Sequence, residues 1–124
     1  MAVLGLTLFT NIKILAGATV YSAPVPASHL AGYFSLFLQS HDAVPTAATG
    51  TLSIFYELSN DNLNWSQVTT LSTLLTGLTK TGGPSSDGKT FLYFNPPVAA
   101  WLRIKATETG SAQAAYLTAV LGVA

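Results

Sequence analysis

Between Thr51 and Leu58 the chain reads TLSIFYEL, with Leu52, Ile54, Tyr56 and Leu58 on one face of an extended strand and Thr51, Ser53, Phe55 and Glu57 on the other. Side chains alternate along a strand and recur every 3.6 residues along a helix, so this segment can bury one apolar face only as β-structure. The same period returns near the C-terminus. Ala100, Leu102, Ile104 and Ala106 alternate with Trp101, Arg103, Lys105 and Thr107, and Ala115, Leu117, Ala119, Leu121 and Val123 form another continuous apolar face. Strands that are apolar on one side need a facing layer to cover them, and a second sheet is the economical choice.

The remaining segments read the same way. Val3 to Phe9 and Asn11 to Leu15 are short apolar strands, and Ala18 to Ser22 is another, ended by Pro24 and Pro26. His29 to Gln39 alternates Phe34, Leu36 and Leu38 against Tyr33, Ser35 and Phe37. Ser40 to Gly50 is a loop, Trp65 to Thr70 a short strand, and Leu71 to Leu78 fits either a strand or one or two helical turns. Lys80 to Lys89 is the longest loop, Thr90 to Phe94 a strand, and Asn95-Pro96-Pro97 a stop. About eight short strands separated by turn signals predict an all-β antiparallel sandwich, jelly-roll-like or immunoglobulin-like. The 124 residues make one such domain, with 1–16 as its first strand or an N-terminal arm that adds a strand to a neighbour. The N-terminal segment has no basic start, and Asn11 and Lys13 interrupt its apolar run, so it reads as part of the fold rather than a signal or membrane span.

Charge narrows the function classes. Only 8% of the residues are charged, with five Lys and Arg against five Asp and Glu, where a typical soluble protein carries about 25%. No cluster of cations exists to displace the counterions of a nucleic acid. A surface this poor in charge associates readily, which points to contacts between subunits. There is no cysteine, hence no disulfide framework, thiolate zinc site or thiol nucleophile.

Four motifs invite chemistry. Ser59 to Asn64 is a polar knot, but an EF-hand register from Asp61 puts Leu63 and Trp65 at ligand positions, and one from Asn60 offers no carboxylate at its first, third or fifth place. It reads as a turn, with Trp65 folding back over the core. Asn64-Trp65-Ser66 matches a glycosylation sequon, which matters only in a secretory pathway. Gly83 to Thr90 satisfies the phosphate-loop pattern G-x-x-x-x-G-K-T, yet FLYFNPP follows where a helix is required. His29 and His41 lie in different segments, and His41 and Asp42 would point to opposite faces of a strand. Carboxylate pairs such as Glu57 with Asp61 or Asp87 with Glu108 read as strand and turn residues. No catalytic residue, metal site or cofactor is expected.

The polar sides of the strands then hold the interest. Phe55, Trp101, Arg103, Lys105 and Tyr116 are the candidate subunit interface, since aromatics and arginine concentrate at such contacts. The competing reading is that both faces are buried inside one sandwich, or that Lys and Arg stems merely cover these rings.

The motifs Gly50-Thr51-Leu52-x-Ile54 running to Ser59-Asn60-Asp61 before Trp65, then Trp101-Leu102-Arg103-Ile104-x-Ala106-Thr107, then Ala114-x-x-Leu117-Thr118-Ala119-x-Leu121, resemble small β-sandwich virion proteins of tailed bacteriophages. The resemblance spans roughly residues 48–123. It implies a non-enzymatic structural protein, a capsid decoration or cement protein, with a neck, tail or fibre component or a carbohydrate-binding adhesion module as the alternative. It also implies partners that are copies of the chain and a major capsid or other virion protein, with neither nucleic acid nor membrane. The expected location is the virion, assembled in the host cytoplasm. A small hydrolase using His41 or Asp61 is the distant third.

Overall fold

The computed structural model describes residues 4–27, 33–41, 50–68 and 72–123. His29, Asp42, the interior of the 40–50 loop (42–49) and the last residues of the 65–70 segment (69–70) lie outside them. Among the described residues every regular element is a strand: β1 (Leu4–Ile14), β2 (Thr19–Tyr21), β3 (Val25–Pro26), β4 (Phe34–His41), β5 (Leu52–Ser59), β6 (Thr73–Leu78), β7 (Lys89–Phe94), β8 (Trp101–Glu108) and β9 (Ala115–Val123). One sheet has the order β1-β9-β4-β7. The other has β2-β8-β5-β6, with β3 continuing along the β2 edge of β8.

The pairings decide between the two sandwich types. Counting β2 and β3 as one interrupted strand, the first strand pairs the last (β1 with β9), the second the seventh (β2 and β3 with β8), the third the sixth (β4 with β7) and the fourth the fifth (β5 with β6), all antiparallel. The chain is therefore one long antiparallel ribbon, closed on itself by β4 against β9 and β5 against β8. A ribbon rolled in this way is a jelly roll.

The inward faces are those that alternation picks out. Leu52, Ile54 and Tyr56 of β5, Leu102, Ile104 and Ala106 of β8, Phe34, Leu36 and Leu38 of β4, and Ala115 to Val123 at alternate positions of β9 form one buried cluster. Phe94 ties the sheets together at one end, its ring stacked 5.4 Å from Phe34 and 5.3 Å from Tyr56 across the core.

Three local expectations are corrected, and one left open is resolved. Val3 to Phe9 and Asn11 to Leu15 are not two strands: Leu4–Ile14 is one strand on the chain's own β9, with two register shifts that Asn11, at φ 46°, helps absorb. Pro24 and Pro26 do not end the pairing that begins at β2. It resumes with Val25 opposite Leu102, because an edge strand needs no outward N–H from proline. Leu71 to Leu78 resolves as a strand over Thr73–Leu78, bulged twice against β5, with Gly77 at φ 76°. Trp65 to Thr70 is not a regular strand over its described part, where a single bridge joins Ser66 to Leu58.

Candidate interaction surfaces

The outer face of the second sheet carries four of the five residues singled out from sequence. In register, Glu57 faces Arg103, Phe55 faces Lys105, and Ser59 faces Trp101, all on the side away from the core. Both Arg103 Nε (2.8 Å) and Nη2 (2.6 Å) reach the same Oε1 of Glu57. The guanidinium also lies between two rings, 4.0 Å from the centroid of Tyr21 and 4.5 Å from that of Trp65. Lys105 Nζ donates to Gln67 Oε1 at 2.8 Å and sits over the Phe55 ring. Charge on this face is thus paired inside the chain. What it offers a partner is ring edge, with Tyr21 the most open.

Two corrections follow. Trp65 does not cover the core; it caps Arg103 on the outside of the sheet, because Leu58 and Ser66 exchange backbone bonds and lay the segment across that face. Tyr116 does not join the other four. It stands on β9 in the first sheet, opposite Lys13 on one side and His41 on the other. His41 Nε2 is 2.8 Å from Thr118 Oγ1, which also accepts the Asn11 amide at 2.9 Å.

The polar knot at Ser59 to Asn64 is a corner. Asp61 accepts the backbone N–H of Asn64 (2.8 Å) and Leu63 (2.9 Å), the Asn64 side-chain amide (2.6 Å) and the Ser59 hydroxyl (3.0 Å). Those donors, the Asn64 and Leu63 amides foremost, hold its carboxyl far below the usual range. Asn60 Oδ1 takes the Ala100 N–H at 3.0 Å and fastens the corner to the start of β8. A shallow hollow of about 480 Å³ lies between this corner and Val98–Ala99, and Asp61 beside it already accepts four hydrogen bonds from its own turn.

The loop before β7 is equally self-contained. Gly88 N–H donates to Gly82 C=O at 2.9 Å, Ser86 N–H to Gly83 C=O at 3.2 Å, and Lys89 N–H to the Asp87 carboxylate at 3.2 Å. A phosphate cradle needs such amides free and a helix behind them; here β7 follows.

Glu108 was not singled out for this role by sequence, and it organises one end of the sandwich. Its side chain is 1% exposed. Oε1 accepts the N–H groups of Gly17 (2.9 Å) and Ser111 (2.7 Å), and Oε2 those of Thr51 (2.8 Å) and Gly110 (2.7 Å). Burial pushes the carboxyl up, but the four amides outweigh it and hold it below its ordinary value. One carboxylate thereby joins the β1–β2 crossing between sheets, the start of β5 and the β8–β9 turn.

The most open aromatic surface lies elsewhere, on β7 at the edge of the first sheet. Phe91 is 69% and Tyr93 85% exposed. Phe91 faces Phe37, and the two rings border a groove of about 240 Å³ rimmed by Ser85, Asp87 and Lys89. Alternation in KTFLYF already sets Phe91 and Tyr93 on one face; which face was solvent depended on the rest of the sheet.

No protein-family model and no curated protein sequence matches this chain. Among solved structures it is similar to tripeptidyl peptidase 2, at TM-score 0.56 and 9% identity, over 91% of this chain and 9% of that one. A second similarity is to a structure of infectious bursal disease virus, Gx strain, at TM-score 0.45 and 13% identity, over 98% of this chain and 31% of that one. The chain thus spans less than a third of either protein's length, and the first likeness is one of fold: two antiparallel sheets packed as a β-sandwich.

Proposed function

We propose that this chain is a non-enzymatic structural subunit of a tailed-bacteriophage particle, a decoration or cement protein that binds copies of itself and the shell through apolar contacts. The observation that carries the reading is the contrast between spent charge and open aromatic surface. Glu57, Asp61, Asp87 and Glu108 each hold groups of their own chain, so the described carboxylates serve as framework. Phe91 and Tyr93 meanwhile stand in solvent on a chain with 8% charged residues. Burying such surface is worth roughly 25 cal/mol per Å² before ordering costs, small for one contact and large over a shell. The motif resemblance of residues 48–123 supplies the particle.

Quantitative mass spectrometry of purified particles tests it. A copy number equal to the major shell protein, or a simple fraction of it, is the expected result. A few copies to a few dozen would move the protein to the neck, tail or fibres, and absence from the particle would overturn the role. Carbohydrate binding is the second reading, favoured by the Phe37–Phe91 groove with its polar rim. Both tryptophans sit on the second sheet, so that reading calls for glycan-array binding lost in Phe91→Ala rather than tryptophan quenching.

A further inference from the structure

Each sheet has two edges, and three of the four are blunted. β1 carries two register shifts, β6 carries two more, and the β2–β3 edge is broken into pieces of three and two residues with prolines between and within them. These are the usual devices that keep an edge from recruiting another strand. β7 has none of them. It pairs with β4 in unbroken register from Lys89–Gln39 to Phe94–Phe34.

The ladder also tells which way its backbone faces. Ser40 N–H donates to Gly88 C=O at 2.8 Å, so Ser40 and Gly88 are a hydrogen-bonded pair. Hydrogen-bonded and non-bonded pairs alternate in an antiparallel ladder. Thr90, Leu92 and Phe94 therefore turn their N–H and C=O toward β4, while Phe91 and Tyr93 turn theirs outward. Among the described residues no partner meets those outward groups.

We propose that β7 is an assembly edge that pairs antiparallel with β7 of a second copy, continuing the first sheet across a two-fold axis. An added extended strand pairs such a row of outward amides and carbonyls all at once. A two-fold centred on Leu92 sets Phe91 opposite the partner's Tyr93 and Tyr93 opposite the partner's Phe91, both hydrogen-bonded pairs by the ladder's phase. It joins two aromatic cross-strand pairs on the outer face and keeps the strand's one charge, Lys89, away from its symmetry mate. The same strand is thus its own complement. This contact supplies the self-association in the proposed role; a shell protein that binds as a monomer would fail here and still pass the copy-number test.

Sedimentation equilibrium of the purified chain, from micromolar to near-millimolar concentration, is the experiment. The wild type is expected to dimerise. Tyr93→Pro removes an N–H that bonds to none of the described residues, a substitution an edge strand tolerates, and should raise the dimer Kd by at least about tenfold with circular dichroism unchanged. Should the proline variant fail to fold, Tyr93→Lys blunts the edge without touching the backbone and should do the same. A monomeric wild type, or an oligomer that survives Tyr93→Lys unchanged, would overturn the proposal.

Discussion

Replacing Glu108 by Gln changes one oxygen into an NH2 group and little else in shape. The carboxylate receives two amides on each oxygen, at 2.7–2.9 Å. Glutamine keeps one acceptor for two of them and turns its own donors toward the other two, whichever way the side chain flips. Hydrogen bonds to a charged group are worth about 1.5–3 kcal/mol each, so losing two in a site this dry costs about 3–6 kcal/mol. Against a total of roughly 5–15 kcal/mol for a domain, that is a large share. For a chain of this size it lowers Tm by on the order of 10–20 °C. Thermal and urea unfolding of both proteins, followed by circular dichroism at neutral and acid pH, measures it. Because the folded carboxyl titrates below its unfolded value, its stabilisation is fully present above the unfolded pKa of about 4.3 and is lost as pH falls through the folded pKa. The gap between wild type and Glu108→Gln should therefore be widest at neutral pH and close in acid. A gap under about 1 kcal/mol at pH 7, or one independent of pH, would refute the account of Glu108 as the staple.

Two further substitutions test other parts of the reasoning. Gly88→Ala should destabilise by roughly 2 kcal/mol or more, since Gly88 sits at φ 77° and a Cβ there would lie 2.5 Å from the Ser40 carbonyl oxygen; unchanged urea unfolding would contradict the close packing of that loop. Arg103→Ala strips the partner from Glu57, which is 8% exposed, and should cost about 2–4 kcal/mol with a change in Trp65 emission. Arg103→Lys should recover only part of this, and a full recovery would show that the Tyr21 and Trp65 rings add nothing.

That second substitution does not separate assembly from folding on the outer face. Arg103 cannot distinguish assembly from folding, because its removal disturbs the ion pair and the ring stack inside the chain. Tyr93 can, being exposed and, among the described residues, without a bond along its outward backbone edge.

Alternation alone determined the central strands β4, β5, β8 and β9 and their buried faces, because a period of two leaves no other way to hide Leu52, Ile54 and Tyr56 or the apolar positions of β8 and β9. Residue identity at the ligand positions and the FLYFNPP run after Thr90 argued against the calcium-loop and phosphate-loop matches, whose chemistry depends on neighbours this sequence lacks. Alternation could not decide jelly roll against immunoglobulin fold, since strand order is set by which ribbon closes on which, and local pattern is the same in both. Nor could it put Tyr116 apart from Trp101, send Trp65 outward, or find the duty of Glu108. Those depend on segments distant in the chain arriving at one place: Gly17 and Thr51 reach Glu108 only once the ribbon has rolled. Sequence spacing records what a residue's own strand will do with its two faces. What waits on the far side of each face is a property of the tertiary fold alone.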